Sequence, residues 1–166
     1  GLLHTQVDFD RMAAKVAANA SPWIDGWNRL TANSHASLSW TPNPQAIISR
    51  GADNTYPDNS AIFFNDVAAA YACALRWKVS GDTAYADKAI QIMNAWSSTL
   101  TTIGGVSGNP TNDGYLMAGI QGYQFANAAE IMRTYSGWAA ADFTRFQNMM
   151  LNVFYPINHR FLPSSI

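Results

Sequence analysis

The chain has 166 residues, of which 48% are hydrophobic and only 13% charged, with a formal net charge of -1. This length predicts a single domain with a packed core. The ten Lys and Arg residues are scattered, which argues against a nucleic-acid partner, and no stretch reaches the roughly 18 apolar residues of a membrane span.

The first third of the chain predicts a helical hairpin followed by a long loop. Thr5 or Asp8 is placed to cap a helix that reaches about residue 18. Ser21-Pro22 supplies an N-cap and a proline at the first helical position for a second helix, to about residue 33. Residues 38–59 break the helical pattern, and a loop of this length is typical of a functional segment or a lid.

Four further helices are predicted downstream. Residues 60–80 are apolar nearly all round and should be enclosed, with Gly81 as the stop and Asp82 as the cap of the next helix. Residues 115–135 and 139–154 continue the pattern, and Pro156 is expected to end the last helix. Because no run alternates with period two, the predicted class is all-α, built of antiparallel helical hairpins.

The composition indicates what such a fold would bind. Six Trp, seven Tyr and eight Phe are more aromatic residues than a small helical core requires, and few charges accompany them. This combination favours a cleft that binds through ring faces and neutral hydrogen-bond donors, which suits sugars. The single cysteine, Cys73, is expected to be a small buried hydrophobe, and no metal or cofactor is predicted.

Polar groups interrupt a packing surface on the predicted helix 115–135. Tyr123 and Asn127 lie one turn apart and share a face that an ordinary core would fill with apolar residues. A buried amide needs a partner. Either another helix satisfies Asn127, or the face lines a cleft in which a polar ligand does so.

Much of the chain resembles the alginate-lyase-like polysaccharide lyases, and most closely the glucuronan and alginate branch, polysaccharide lyase family 38. The stretches that carry the resemblance are residues 2–12, 23–27, 75–89, 94–98 and 122–133. The resemblance implies an incomplete α/α toroid of helical hairpins with a groove across it, and cleavage of uronate-containing glycans by β-elimination. Family members are considerably longer. Residues 1–166 are therefore expected to be the N-terminal portion of a larger catalytic domain. The C-terminal portion would complete the active site, and where it is a separate polypeptide it would be a partner chain.

β-Elimination at a uronate needs a group that neutralises the carboxylate, a base for the C5 proton and an acid for the leaving oxygen. The candidate catalytic residues are His159, Asn127 and Tyr123. His159 is a candidate base or carboxylate partner, since imidazole titrates near neutral pH and the residue is expected in a loop. Asn127 is a candidate amide donor that neutralises the substrate carboxylate, and Tyr123 is a candidate acid or base. Each has a structural alternative, namely a packing imidazole, an interhelical hydrogen bond and a packed ring.

The candidate substrate-binding residues are Asn158, Gln124, Arg50, Trp40, Tyr56 and Trp96. Gln124 is a second neutralising amide, and Arg50 can grip a carboxylate bidentately. The three aromatic residues are candidate sugar platforms, although Trp96 lies on a stripe typical of a core. The substrate would be an acidic polysaccharide, and the sequon Asn19-Ala20-Ser21 favours an exported protein, extracellular or periplasmic.

Two other functions stay open at this point. The first is a non-catalytic helical module that binds acidic polysaccharide. The second is a glycoside hydrolase on a related toroid, which needs two carboxylates flanking the glycosidic bond. The chain has one Glu and ten Asp, mostly at predicted caps or on wet faces, so hydrolysis is the less favoured of the two.

Overall fold

The structure is a computed structural model that describes residues 3–51, 57–104 and 112–164. Within these ranges the chain forms seven α-helices, which confirms the all-α class. They are α1 (Gln6–Ala17), α2 (Trp23–Ala32), α3 (Ser60–Ser80), α4 (Thr83–Ser97), α5 (Asn112–Met132), α6 (Ala140–Met149) and α7 (Tyr155–Ser164). None of the helices in the described ranges has both the length and the apolar character that a membrane crossing demands.

Two very short strands pair the segment before α3 with the segment after α4. β1 (Ile47–Ile48) pairs in parallel with β2 (Thr102–Ile103). Ile48 and Ile103 are both buried and belong to the hydrophobic core. Two residues are too few to show an alternating pattern in a sequence, which is why no strand was predicted here.

The hairpin of α1 and α2 is present, but one of its predicted caps is wrong. Thr5 caps α1 in a reciprocal capping box with Asp8, as expected. Ser21 does not cap α2. Its hydroxyl instead donates to a carboxylate oxygen of Asp25 at 2.6 Å, and α2 begins at Trp23 without a side-chain cap.

Helix α3 lies at the centre of the fold, against α1, α4 and α5. Its apolar surface is buried on most sides, as predicted, and Gly81 ends it in the left-handed conformation with φ of 75°. The ring of Phe63 contacts three other aromatic rings, those of Trp96, Phe125 and Phe154. Cys73 is fully buried in this helix, and burial raises the pKa of its thiol to about 11. The thiol is therefore a packing group.

One carboxylate lies inside this core. Asp66 on α3 is 2% exposed, and its Oδ1 accepts a hydrogen bond from Trp40 Nε1 at 2.9 Å. Its Oδ2 accepts from Trp96 Nε1 at 2.7 Å and from the backbone N–H of Asn43 at 2.8 Å. Asp66 therefore fastens the loop around residues 40–43 to α3 and α4.

A second carboxylate organises the start of α3, where the helical N–H groups have no partner within the helix. Asp58 Oδ1 accepts from the N–H and the hydroxyl of Ser60, at 2.9 and 2.6 Å. Its Oδ2 accepts from the N–H of Gly51 at 3.0 Å. These bonds favour the ionised form and hold the pKa of Asp58 below its ordinary value, the Ser60 hydroxyl contributing most.

We predict that Asp58→Ala lowers the free energy of unfolding by about 1 kcal/mol near neutral pH, because the start of α3 loses the carboxylate that accepts from the N–H and the hydroxyl of Ser60. Since the folded-state pKa of Asp58 is depressed, its contribution is present above the unfolded pKa of about 3.9 and is lost as the pH falls through the folded value. Urea unfolding at about pH 7 and about pH 2.5 measures the difference. An equal cost at both pH values would contradict this account.

The predicted helix end at Pro156 is wrong. Helix α6 passes into a π-helical turn at Met150–Phe154, and the chain continues as α7 from Tyr155. Proline lacks an N–H and its ring crowds the carbonyl four residues earlier. The wider π-turn has already shifted the hydrogen-bond pattern where Pro156 enters, so the helix continues through it. Asn158 and His159 therefore lie on a helix and not in a loop.

The π-turn lies very close to α5 at one glycine. A Cβ atom placed on Gly122 would meet the ring of Phe154 at 2.8 Å, and Phe154 is buried. Glycine at this position allows the two backbones to approach. This contact lets the π-turn pack closely against α5.

Candidate functional site

A groove of about 350 Å³ runs between α5 and the segment formed by the π-turn and α7, and we call it the α5–α7 groove. The residues that line it include Gly119, Gly122, Tyr123, Phe154, Tyr155 and Asn158. It is open along one side, and no Asp or Glu belongs to its described lining. Its polar groups are thus neutral phenols and an amide.

The α5–α7 groove contains two predicted site residues and lies beside a third. Tyr123 is 56% exposed, and Asn158 is half-buried, with its Nδ2 3.5 Å from the carbonyl oxygen of Ala118. His159 is exposed, and its ring centre lies 5.4 Å from that of Tyr155. The predicted phenol, amide and imidazole therefore occur within one region of the surface.

The other predicted amides lie elsewhere on α5. Asn127 is 3% exposed, and its Nδ2 donates to the carbonyl oxygen of Tyr123 at 2.9 Å, within its own helix. It lines a different cavity of about 220 Å³ between the start of α1 and the C-terminal halves of α3 and α5, which we call the α1–α3–α5 pocket. Gln124 is half-buried and lines neither cavity among the described residues. The expectation of a single cleft holding Asn127 beside His159 is wrong.

Two residues of the α1–α3–α5 region were not predicted as site residues. His4 Nε2 lies 3.1 Å from the hydroxyl oxygen of Tyr71 on α3. Burial raises the pKa of Tyr71, and the nearby Tyr123 raises it further. The two residues are 67 positions apart in the chain. No local pattern predicts such a pair, and only the tertiary fold brings it together.

Trp40 and Arg50 belong to the long segment before α3. The Trp40 ring is stacked on His35, with ring centres 4.7 Å apart and planes inclined by 27°, so one of its faces is already occupied. The guanidinium carbon of Arg50 lies 5.6 Å from the centre of the Phe64 ring, and its charge also lowers the pKa of Asp58. Tyr56 lies outside the described residues.

The prediction of Trp96 as a sugar platform is wrong. The side chain is fully buried on α4, with its ring centre 4.8 Å from that of Phe63. Its Nε1 donates to Asp66 at 2.7 Å, so the polar end of the ring is satisfied inside the core. Trp96 is a core residue.

The described residues contain no cluster of three or more His, Cys, Asp or Glu side chains that could hold a metal ion. The described lining of the α5–α7 groove offers two phenols and an amide, and the imidazole of His159 lies beside it.

Comparison with known proteins decides the family. The model of the alginate lyase family matches residues 12–157, which is most of the chain. The chain belongs to the alginate lyase family. No curated protein and no solved structure matches it.

The match covers some of the candidate site residues of this alginate lyase family member and not others. The matched residues include all of α5 and the π-turn, and with them Tyr123 and Asn127. They end at Ile157, just before Asn158 and His159. The family match therefore supports polysaccharide lyase activity in general, and it does not extend to Asn158 and His159.

Proposed function

We propose that this chain cleaves uronate-containing glycans, glucuronan or alginate, by β-elimination in the α5–α7 groove, leaving an unsaturated uronate at the new end. The observation that carries the proposal is the match to the alginate lyase family over residues 12–157. The groove adds support, because neutral hydrogen-bond donors without carboxylates suit an anionic substrate.

The proposed chemistry assigns one role to each group. The amide of Asn158 donates to the substrate carboxylate and so stabilises the charge that develops when the C5 proton leaves. His159 either takes that proton as the base or, when protonated, faces the carboxylate. The phenol of Tyr123 donates its proton to the leaving glycosidic oxygen.

The arrangement of helices supports a further part of the proposal, that these hairpins form part of an incomplete α/α toroid. Helix α3 packs against α5, and α5 packs against α7, so these three make one row. Helix α4 packs against α3 and α6, which gives a second row behind the first. A groove along the first row is where an extended polysaccharide would lie.

The proposal is tested by adding glucuronan, polymannuronate and polyguluronate in turn and following the ultraviolet absorbance of unsaturated uronate. A rising absorbance with at least one polymer is the expected result, and the fastest polymer identifies the preferred uronate. New reducing ends without absorbance would indicate hydrolysis. Binding without any new ends would indicate a non-catalytic module, and either outcome would overturn the lyase proposal.

A further inference from the structure

We infer that Gly119 is a specificity-determining residue of the α5–α7 groove. Because it carries no side chain, it leaves the amide oxygen of Asn158 open to a free hydroxyl of the bound polymer. A polymer whose hydroxyls are esterified is therefore bound more weakly. This role rests on the proposed function, since it requires that the polymer lies in the α5–α7 groove.

Two glycines of α5 line the groove, and packing explains only one of them. A Cβ atom on Gly122 would meet the ring of Phe154 at 2.8 Å, so the fold excludes a side chain there. A Cβ atom on Gly119 would have, outside its own helix and among the described residues, Asn158 Oδ1 as its neighbour at 3.9 Å. This is an ordinary van der Waals distance. The fold therefore has room for alanine at position 119.

The backbone at Gly119 does not require glycine either. The residue is exposed in the interior of α5, and the described glycines with positive φ are Gly51, Gly81 and Gly104. Glycine inside a helix is less favourable than alanine, because it loses more backbone freedom on folding. A residue that lowers stability without a structural reason is expected at a functional site.

The amide of Asn158 has an open acceptor beside Gly119. Within the described residues its hydrogen bond runs from Nδ2 to the carbonyl oxygen of Ala118, at 3.5 Å. The buried side-chain atoms that lack a partner in the described chain are Gln121 Oε1 and Arg145 Nε, so the unbonded Oδ1 of Asn158 is in contact with solvent. The second hydrogen on Nδ2 is the one that the proposed function directs to the substrate carboxylate. Oδ1 remains available to accept from a hydroxyl.

This oxygen can distinguish a free hydroxyl from an ester. The phenols of Tyr123 and Tyr155, which also line the groove, can donate as well as accept, whereas an amide oxygen only accepts. An esterified oxygen has no hydrogen to donate to it. A methyl group at position 119 would lie against Oδ1 and occupy the space from which the hydroxyl approaches. Gly119→Ala therefore removes the same hydrogen bond that esterification removes.

The experiment compares glucuronan and polymannuronate, each before and after chemical O-acetylation. Selectivity is the ratio of kcat/KM for the free polymer to kcat/KM for the acetylated polymer, from initial rates of ultraviolet absorbance. Where a polymer is bound and not cleaved, calorimetry gives the corresponding ratio from the dissociation constants. With at least one polymer, we expect a ratio of about ten or more for the unmodified chain. The ratio for Gly119→Ala should be about tenfold smaller, the size of one hydrogen bond.

Gly26→Ala is the matched control. Gly26 is likewise exposed within a helix, α2, and a Cβ atom there would have no neighbour within 4 Å among the described residues. It lies outside the lining of the α5–α7 groove. Gly26→Ala and Gly119→Ala should both raise the urea midpoint of unfolding, because each removes a helical glycine. Gly26→Ala should keep the selectivity of the unmodified chain. Gly122→Ala should instead lower the midpoint, because its methyl group meets Phe154.

Four results would overturn the role of Gly119: no binding of either polymer, a ratio near one in the unmodified chain, the same ratio in Gly119→Ala as in Gly26→Ala, or a lower urea midpoint in Gly119→Ala. The proposed function fails in a different way. Elimination with unchanged selectivity would leave the lyase activity standing without this role. Binding with the expected change in selectivity and no elimination would leave the role standing without the lyase activity.

Discussion

Replacing His159 by alanine is expected to lower the turnover of uronate elimination at least about a hundredfold, the usual size of an acid-base contribution. The fold should be unaffected, because His159 is exposed on α7 and its ring lies beside the exposed ring of Tyr155. The initial rate of ultraviolet absorbance at saturating polymer measures turnover. Circular dichroism and urea unfolding of the same preparation measure the fold.

Asn148→Ala provides the control for this experiment. Asn148 is exposed on α6 and outside the lining of the α5–α7 groove. The turnover of the Asn148→Ala variant should therefore match that of the unmodified chain. Near-normal turnover in His159→Ala would remove the imidazole from the mechanism. The proposal would then have to place the base on another residue.

Replacing Asp66 by alanine is expected to lower the free energy of unfolding by about 3 kcal/mol or more. Three donors lose their acceptor at once, namely the indole N–H groups of Trp40 and Trp96 and the backbone N–H of Asn43. Each unsatisfied buried donor costs about 1 kcal/mol or more. Urea unfolding at neutral pH gives the value.

A graded series sharpens this prediction. Asp66→Asn retains one oxygen, which can still accept from Trp96 and Asn43, and leaves Trp40 without an acceptor, so its cost should be smaller than that of alanine. Asp87→Ala is the exposed control, since its carboxylate accepts from Tyr135 at the surface, and a change within about 0.5 kcal/mol is expected. Equal costs for Asp66→Ala and Asp87→Ala would show that Asp66 does not anchor the loop.

The helices of the first two-thirds of the chain were predictable because their signals are local. Thr5 and Asp82 cap α1 and α4, and Gly81 ends α3, as the sequence indicates. The apolar residues on nearly every side of α3 likewise predict that this helix is buried. The continuation through Pro156 was not predictable, since it depends on a π-turn whose Phe154 packs against Gly122, 32 positions earlier in the chain.

The candidate site was predictable in composition and only partly in position. Tyr123 and Asn127 share a helical face, but the structure turns them toward different cavities, because Asn127 lies under the start of α1. The prediction of Trp96 as a sugar platform was wrong because an aromatic residue on an apolar helical stripe gives the same sequence pattern whether the stripe faces a core or a cleft. The proximity of His4 to Tyr71 is a property of the tertiary fold alone.

The π-turn at Met150–Phe154 has a consequence for how the α7 end of the groove can change. One residue advances an α-helix by about 100° around its axis. A π-turn holds one more residue than the α-helical turn it replaces, so deleting a single residue from it would restore an ordinary helix and leave Asn158 and His159 at the groove. The π-turn therefore absorbs a change of one residue in chain length, whereas the same deletion within an unbroken α-helix would turn every later side chain by about 100°.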